Sequence, residues 1–234
     1  LAVFLTLALI FGATMVALSL RSHSTRQYDS EVTANEKRID KTFPVQAGGK
    51  LVIKADEGSI SVTGSDRTEA TIHVRARGTE SQLSKLDVSI DQIGNTVRAE
   101  SRYKRRFMNF FGDETPDVEF EVELPQNFDL DLITAGGDIT ILNINGRIEG
   151  ETSGGDLDLS KLEGNVRLST SGGNVAVKDS KGDLRIGTSG GDMRVESIVG
   201  SMDFETSGGT IEVRDSDGKI RASTSGGDVH VALR

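Results

Sequence analysis

Apolar positions in the C-terminal half of this chain recur with a period of nine. From residue 134 to 232 the sequence divides into eleven nonapeptides of the form x-x-x-Gly-x-U-x-U-x, where U is apolar. Position four is Gly in every unit, from Gly137 and Gly146 to Gly218 and Gly227. Position six is always aliphatic or Met: Ile139, Ile148, Leu157, Val166, Val175, Leu184, Met193, Met202, Ile211, Ile220 and Val229. Position eight is apolar too, with Gly150 and Ala222 the only small members. In an extended strand the period of two puts both U side chains on one face. Every second unit opens on the same corner, Thr-Ala-Gly-Gly at Thr134 and Thr-Ser-Gly-Gly at Thr152, Thr170, Thr188, Thr206 and Thr224. The true repeat is therefore 18 residues. A short fixed period of this kind specifies a solenoid, whose coils bury their apolar side chains only by stacking on one another.

The pattern predicts an all-β chain: a parallel, β-roll-like solenoid with two strands per coil and two sheets facing across a narrow core. The Thr and Ser hydroxyls are expected to stack along one corner. The Gly at position four is expected to supply a backbone conformation that other residues resist. The opposite corner varies in sequence, as in Asn143-Ile-Asn, Lys161-Leu-Glu and Asp179-Ser-Lys.

Residues 39–133 look like an irregular beginning of the same solenoid, and we expect them to cap its N-terminal end, since open solenoid ends need covering. Leu51, Ile53, Ile60 and Val62 already fit the repeat as inward residues. Ala70, Ile72 and Val74 alternate as a strand. Thr79-Glu-Ser-Gln82 has the form of a capping box and predicts a helix of one to two turns. A hairpin should turn near Gly94-Asn95. A second pairing, of Val97–Lys104 with Asp117–Glu123, would set Arg98, Arg102 and Lys104 against Asp117, Glu119, Glu121 and Glu123.

The N-terminus changes the picture. Residues 1–20 carry no charge and are long enough to cross a bilayer, so they read as a transmembrane anchor, with a cleaved signal segment as the other reading. Residues 21–38 are a polar tether. Either reading carries the body, as an N-terminal cap over 39–133 and regular repeats over 134–234, across a membrane. The chain would be membrane-anchored and extracytoplasmic, or secreted if residues 1–20 are removed. No Cys is present, which removes disulfides, thiolate metal sites and lipid attachment through Cys. A net charge of -9 argues against a nucleic-acid partner.

Candidate chemistry is sparse. Calcium-binding β-rolls use an Asp at position six, whereas here that position is apolar throughout. The repeat's Asp residues fall at position five (Asp138, Asp156, Asp192, Asp228), where accepting a corner amide is the expected role. No cofactor or metal is expected. No nucleophile elbow, metalloprotease motif or phosphate-binding loop is present, and no catalytic residue is assigned. A basic, aromatic segment stands out at Arg105, Arg106, Phe107, Met108, Phe110 and Phe111. It either packs over the solenoid end or forms a contact tip for a membrane surface or partner.

The segment FPVQAGGKLVIKADEGSISVTGSD (43–66), the later strand ending Leu124-Pro125 and the iterated TSGGDL-type coils resemble a bacterial family of proposed adhesin solenoids that includes LiaG-type membrane-anchored envelope proteins. The resemblance covers residues 39–234 and implies a solenoid on the outer side of a bacterial membrane. It supplies no catalytic residues. The expected function is a non-catalytic, adhesin-like binding or structural role at the cell envelope, with an envelope protein or polysaccharide as partner. A carbohydrate-active β-helix enzyme and a regulatory partner of an envelope-stress sensor are the alternatives.

Overall fold

Two-residue periodicity dictates strands and the corner residues dictate where each strand stops. The result is eighteen strands and one helix in a computed structural model that describes residues 35–104 and 115–233. In the irregular part these are β1 (Asn35–Pro44), β2 (Gly49–Ala55), β3 (Ser59–Ser65), β4 (Glu69–Gly78), α1 (Glu80–Lys85), β5 (Leu86–Ile93), β6 (Thr96–Tyr103) and β7 (Asp117–Pro125). The repeats give β8 (Phe128–Thr134), β9 (Ile139–Leu142), β10 (Asn145–Thr152), β11 (Leu157–Ser160), β12 (Glu163–Thr170) and β13 (Val175–Lys178). They continue as β14 (Lys181–Thr188), β15 (Met193–Glu196), β16 (Val199–Thr206), β17 (Ile211–Thr224) and β18 (Val229–Leu233).

The repeats form six coils. Strands β9, β11, β13, β15, the first part of β17, and β18 make one parallel sheet, A. Strands β8, β10, β12, β14, β16 and the second part of β17 make the facing sheet, B. Pairing is in register at an offset of 18 residues: Val166 lies beside Ile148 on one side and Leu184 on the other. Position six from Ile139 to Ile211 is buried throughout. At the last rung this ends, and Val229 and Val231 are 40% and 46% exposed.

The irregular region is built into the same stack. Leu51 and Ile53 pair beside Leu130 and Leu132, and Ile60 and Val62 beside Ile139 and Ile141. Strands β2 and β3 are thus a full rung laid directly on β8 and β9. The chain then leaves, and β6 and β7 return as a further parallel rung outside β2 and β3. Strands β4 and β5, joined by α1, reverse direction and pair antiparallel with β7 and β6, while β1 pairs antiparallel with β4. Helix α1 carries the expected capping box, with the Thr79 hydroxyl accepting from Gln82 N and the Gln82 side chain accepting from Thr79 N.

One pairing differs from expectation. β6 and β7 lie in opposite sheets and do not pair. Both strands alternate, and burying Val97 and Ala99 across the core from Phe120 and Val122 satisfies more apolar surface than setting them edge to edge. The acidic row of β7 instead faces β4, whose Arg75 meets Glu119 at 2.8 Å, while Arg67, just before β4, meets Glu123 at 2.8 Å. Arg98 and Arg102 lie opposite Asp91 and Asp87 of β5. The expected turn at Gly94-Asn95 does close the β5–β6 hairpin.

The role of position-four Gly also needs correcting at the Thr corner. There its φ is unexceptional, and the constraint is contact. A Cβ on Gly191 would collide with the Gly173 carbonyl of the preceding rung, whereas one on Gly190 would have its nearest neighbour, Ser171 O, at 3.6 Å. Positive φ belongs to the other corner, in part on non-glycine residues: Asn143, Lys161, Asp179, Ser197 and Asp215. Gly191→Ala is therefore expected to destabilise by about 1–3 kcal/mol or more through overpacking, and Gly190→Ala by well under 1 kcal/mol. Urea unfolding of the two variants measures the contrast.

Candidate functional site

Stacking converts each position of the repeat into a column. At the Thr corner, the Thr188 hydroxyl donates to Gly173 O at 2.8 Å and accepts from Gly191 N at 3.2 Å, and Thr152, Thr170, Thr206 and Thr224 repeat the arrangement. Thr134, Thr152, Thr170, Thr188 and Thr206 are buried. These hydroxyls are structural, because each satisfies two backbone groups that the tight corner would strand.

Position five forms a second column at the edge of sheet A. Asp156 N donates to the Asp138 carboxylate at 2.8 Å, Asn174 N to Asp156 at 2.6 Å, Asp192 N to Asn174 at 3.0 Å and Thr210 N to Asp192 at 2.8 Å. Each side chain holds the amide of the next rung through one oxygen. That is the amide-accepting role the spacing predicts. Among the described residues, no group of three or more His, Cys, Asp or Glu side chains is placed to hold a metal ion.

Position seven runs beside it as Thr140, Asp158, Ala176, Arg194, Glu212 and His230. Between the columns lies an open groove of about 650 Å³ crossing the coils of sheet A. Ala176, the smallest of its column, deepens the middle. The groove is acidic: Asp138, Asp156, Asp158, Asp192 and Glu212 line it against one Arg. That Arg, Arg194, reaches Glu212 at 3.4 Å, and Arg214 also bonds to Glu212. Partial desolvation works against Glu212 ionisation, but the bonds to Arg214 and Arg194 outweigh it and hold the carboxyl below its ordinary range. Such a periodic, rigid surface offers side chains at the spacing of neighbouring strands, about 4.8 Å.

The sequence pointed elsewhere. Arg105, Arg106, Phe107, Met108, Phe110 and Phe111 lie outside the described residues. Their flanks are placed: Tyr103 ends β6 and Thr115 precedes β7. Sequence reasoning treated the position-five residues only as corner acceptors and missed the groove. The signal was present in the outward columns, read down the repeat rather than along the chain. His73 faces outward, at 2.6 Å from Asp40.

Two predictions follow from the columns. Thr188→Val should cost about 1–3 kcal/mol by leaving Gly173 O and Gly191 N unpaired, while Thr188→Ser keeps both bonds and most of the stability; thermal unfolding compares them. For Glu212 the folded value lies below the ordinary 4.5, so its contribution is fully present above 4.5 and fades as pH falls through the lowered value. An NMR titration of the Glu212 carboxyl should give a midpoint below 4.5, returning toward it in Arg214→Gln.

No curated protein matches this sequence at a significant level. Among solved structures, a proposed adhesin from Bacteroides fragilis is 16% identical, with 85% of this chain and 97% of that one covered at a TM-score of 0.46. A proposed cell adhesion protein from Clostridium sporogenes is 10% identical, covering 86% of this chain and 100% of that one at a TM-score of 0.43. A proposed lipid binding protein from Parabacteroides distasonis is 12% identical, with 84% and 96% covered at a TM-score of 0.38. The family model described as Toastrack DUF4097 matches residues 22–234, nearly the whole chain, and the protein belongs to that family.

Proposed function

We propose that this chain is a membrane-tethered, extracytoplasmic binding module at the bacterial cell envelope, adhesin-like and non-catalytic, with the groove of sheet A as its contact surface. The observation that carries this reading is the groove itself, whose acidic columns are held rigid by backbone bonds across successive rungs. Carboxylates engaged in holding corner amides serve as fixed negative charge rather than as proton shuttles. A face of that charge fits an extended, positively charged segment of an envelope protein. The apolar run at 1–20 supports the tether, and the segment 105–111 supports a second contact at a membrane or partner.

Asn174 supplies the means of testing this. It occupies the same column as the Asp residues and accepts the same bond, so Asn can replace Asp there without loss of the corner. The triple variant Asp138→Asn, Asp156→Asn, Asp192→Asn should fold with unchanged stability and bind a fluorescent Lys-rich peptide at least tenfold more weakly at low salt. Fluorescence anisotropy measures this. Equal weakening by Asp183→Asn with Asp203→Asn on sheet B would show a net-charge effect and overturn the assignment of the groove.

A further inference from the structure

Ser101 stands in the Thr column. Ala55 pairs with both Ser101 and Thr134, and Thr134 pairs with Thr152, which continues the column through the repeats. Each Thr of the column, Thr134, Thr152, Thr170, Thr188, Thr206 and Thr224, donates to a corner Gly carbonyl, beginning with Thr134 to Gly58 O at 2.8 Å. Ser101 has no such acceptor, because its rung lies outside β2 and β3 and only the antiparallel β4 and β5 lie beyond it, with no corner Gly of a preceding rung. Its hydroxyl is 1% exposed as a residue and has no hydrogen-bond partner among the described residues. Two residues on, Tyr103 is in the same position: 7% exposed, with its phenolic oxygen buried and unpaired.

Both residues line one small cavity of about 10 Å³, together with Asp56, Glu57, Leu86, Thr115, Pro116 and Val118. That is the size one water molecule needs, and a buried water requires two to four polar partners. Two buried hydroxyls without partners are costly unless something bridges them. Asp56 takes Tyr103 N at 2.9 Å, and Thr115 donates to Glu57, yet a carboxylate has further lone pairs to accept a water proton.

We infer that this cavity is a binding site for one ordered water, which accepts from the hydroxyls of Ser101 and Tyr103, donates to a carboxylate at the cavity wall, and replaces the Thr-corner bond in the outermost parallel rung. The water ties the end of β6 to the residues just before β7, in the place that Thr hydroxyls take at the regular corners.

The sign of a mutational effect decides the matter. A bridged hydroxyl stabilises, so Tyr103→Phe and Ser101→Ala should each lower the folded-to-unfolded ratio roughly fivefold to tenfold in urea unfolding. Sharing one water, the two should be non-additive, the double variant losing clearly less than the product of the singles. If the hydroxyls are dry, Tyr103→Phe removes an unpaired buried polar atom and leaves stability unchanged or raised, and the inference fails. A high-resolution crystal structure of the unsubstituted chain gives a readout that does not depend on variants folding. A density peak within hydrogen-bond distance of both oxygens is expected, and an empty cavity, or a side chain filling it, overturns the site.

Discussion

Two backbones meeting at a Gly-Gly corner, with no room between them for a Cβ, is the constraint on which this structure depends. It fixes the distance between successive rungs at the Thr edge, and that distance brings the Thr hydroxyl within reach of the preceding rung's carbonyl. Once the corner is set, the strands on either side have only one register in which position six meets position six. A slip of one residue would turn every apolar side chain outward. The core is therefore a consequence of the corners as much as of hydrophobicity.

That constraint also explains why the two edges of the solenoid evolved different chemistry. At the Thr edge contact excludes side chains, and the sequence is nearly invariant from rung to rung. At the opposite corner the chain turns through positive φ at Asn143, Lys161, Asp179, Ser197 and Asp215, a cost of roughly 1–2 kcal/mol for an ordinary residue. The position-four glycine is pressed against the preceding rung here too, as at Gly182 against Gly164 O, but the three positions before it carry no shared Thr bond and vary in residue type. Ser180 and Ser216 adapt locally, each accepting a backbone amide of the preceding rung while donating to the carbonyl two residues before it.

Much of this was legible in the sequence. Positions six and eight together mark most of the repeat core, missing only Ile144, Leu162 and Ile198 at the variable corner, the capping box marks α1, and the spacing of the position-five Asp residues marks them as amide acceptors. The hidden parts have physical reasons. The β6–β7 relation failed because alternation identifies a strand's faces but not its partner, and opposite charges on two strands are satisfied equally well by third strands, here β4 and β5. The direction of the cap failed to show because reversing a strand leaves its pattern unchanged. The αL corner was partly signalled by Asn143, Asp179 and Asp215, which tolerate positive φ, but Lys161 and Ser197 masked it. The groove is a property of columns, visible only when rungs are aligned at 18.

The central claim is that coils stack in parallel, in register, at an offset of 18 residues, and it is tested most directly by interstrand nuclear Overhauser effects in the isotopically labelled protein. Contacts should join β12 to β10 and β14 with Val166 beside both Ile148 and Leu184, and the same offset should recur in every rung through β16. Cross-strand contacts at any other offset, or an antiparallel pattern within the repeats, would contradict the account.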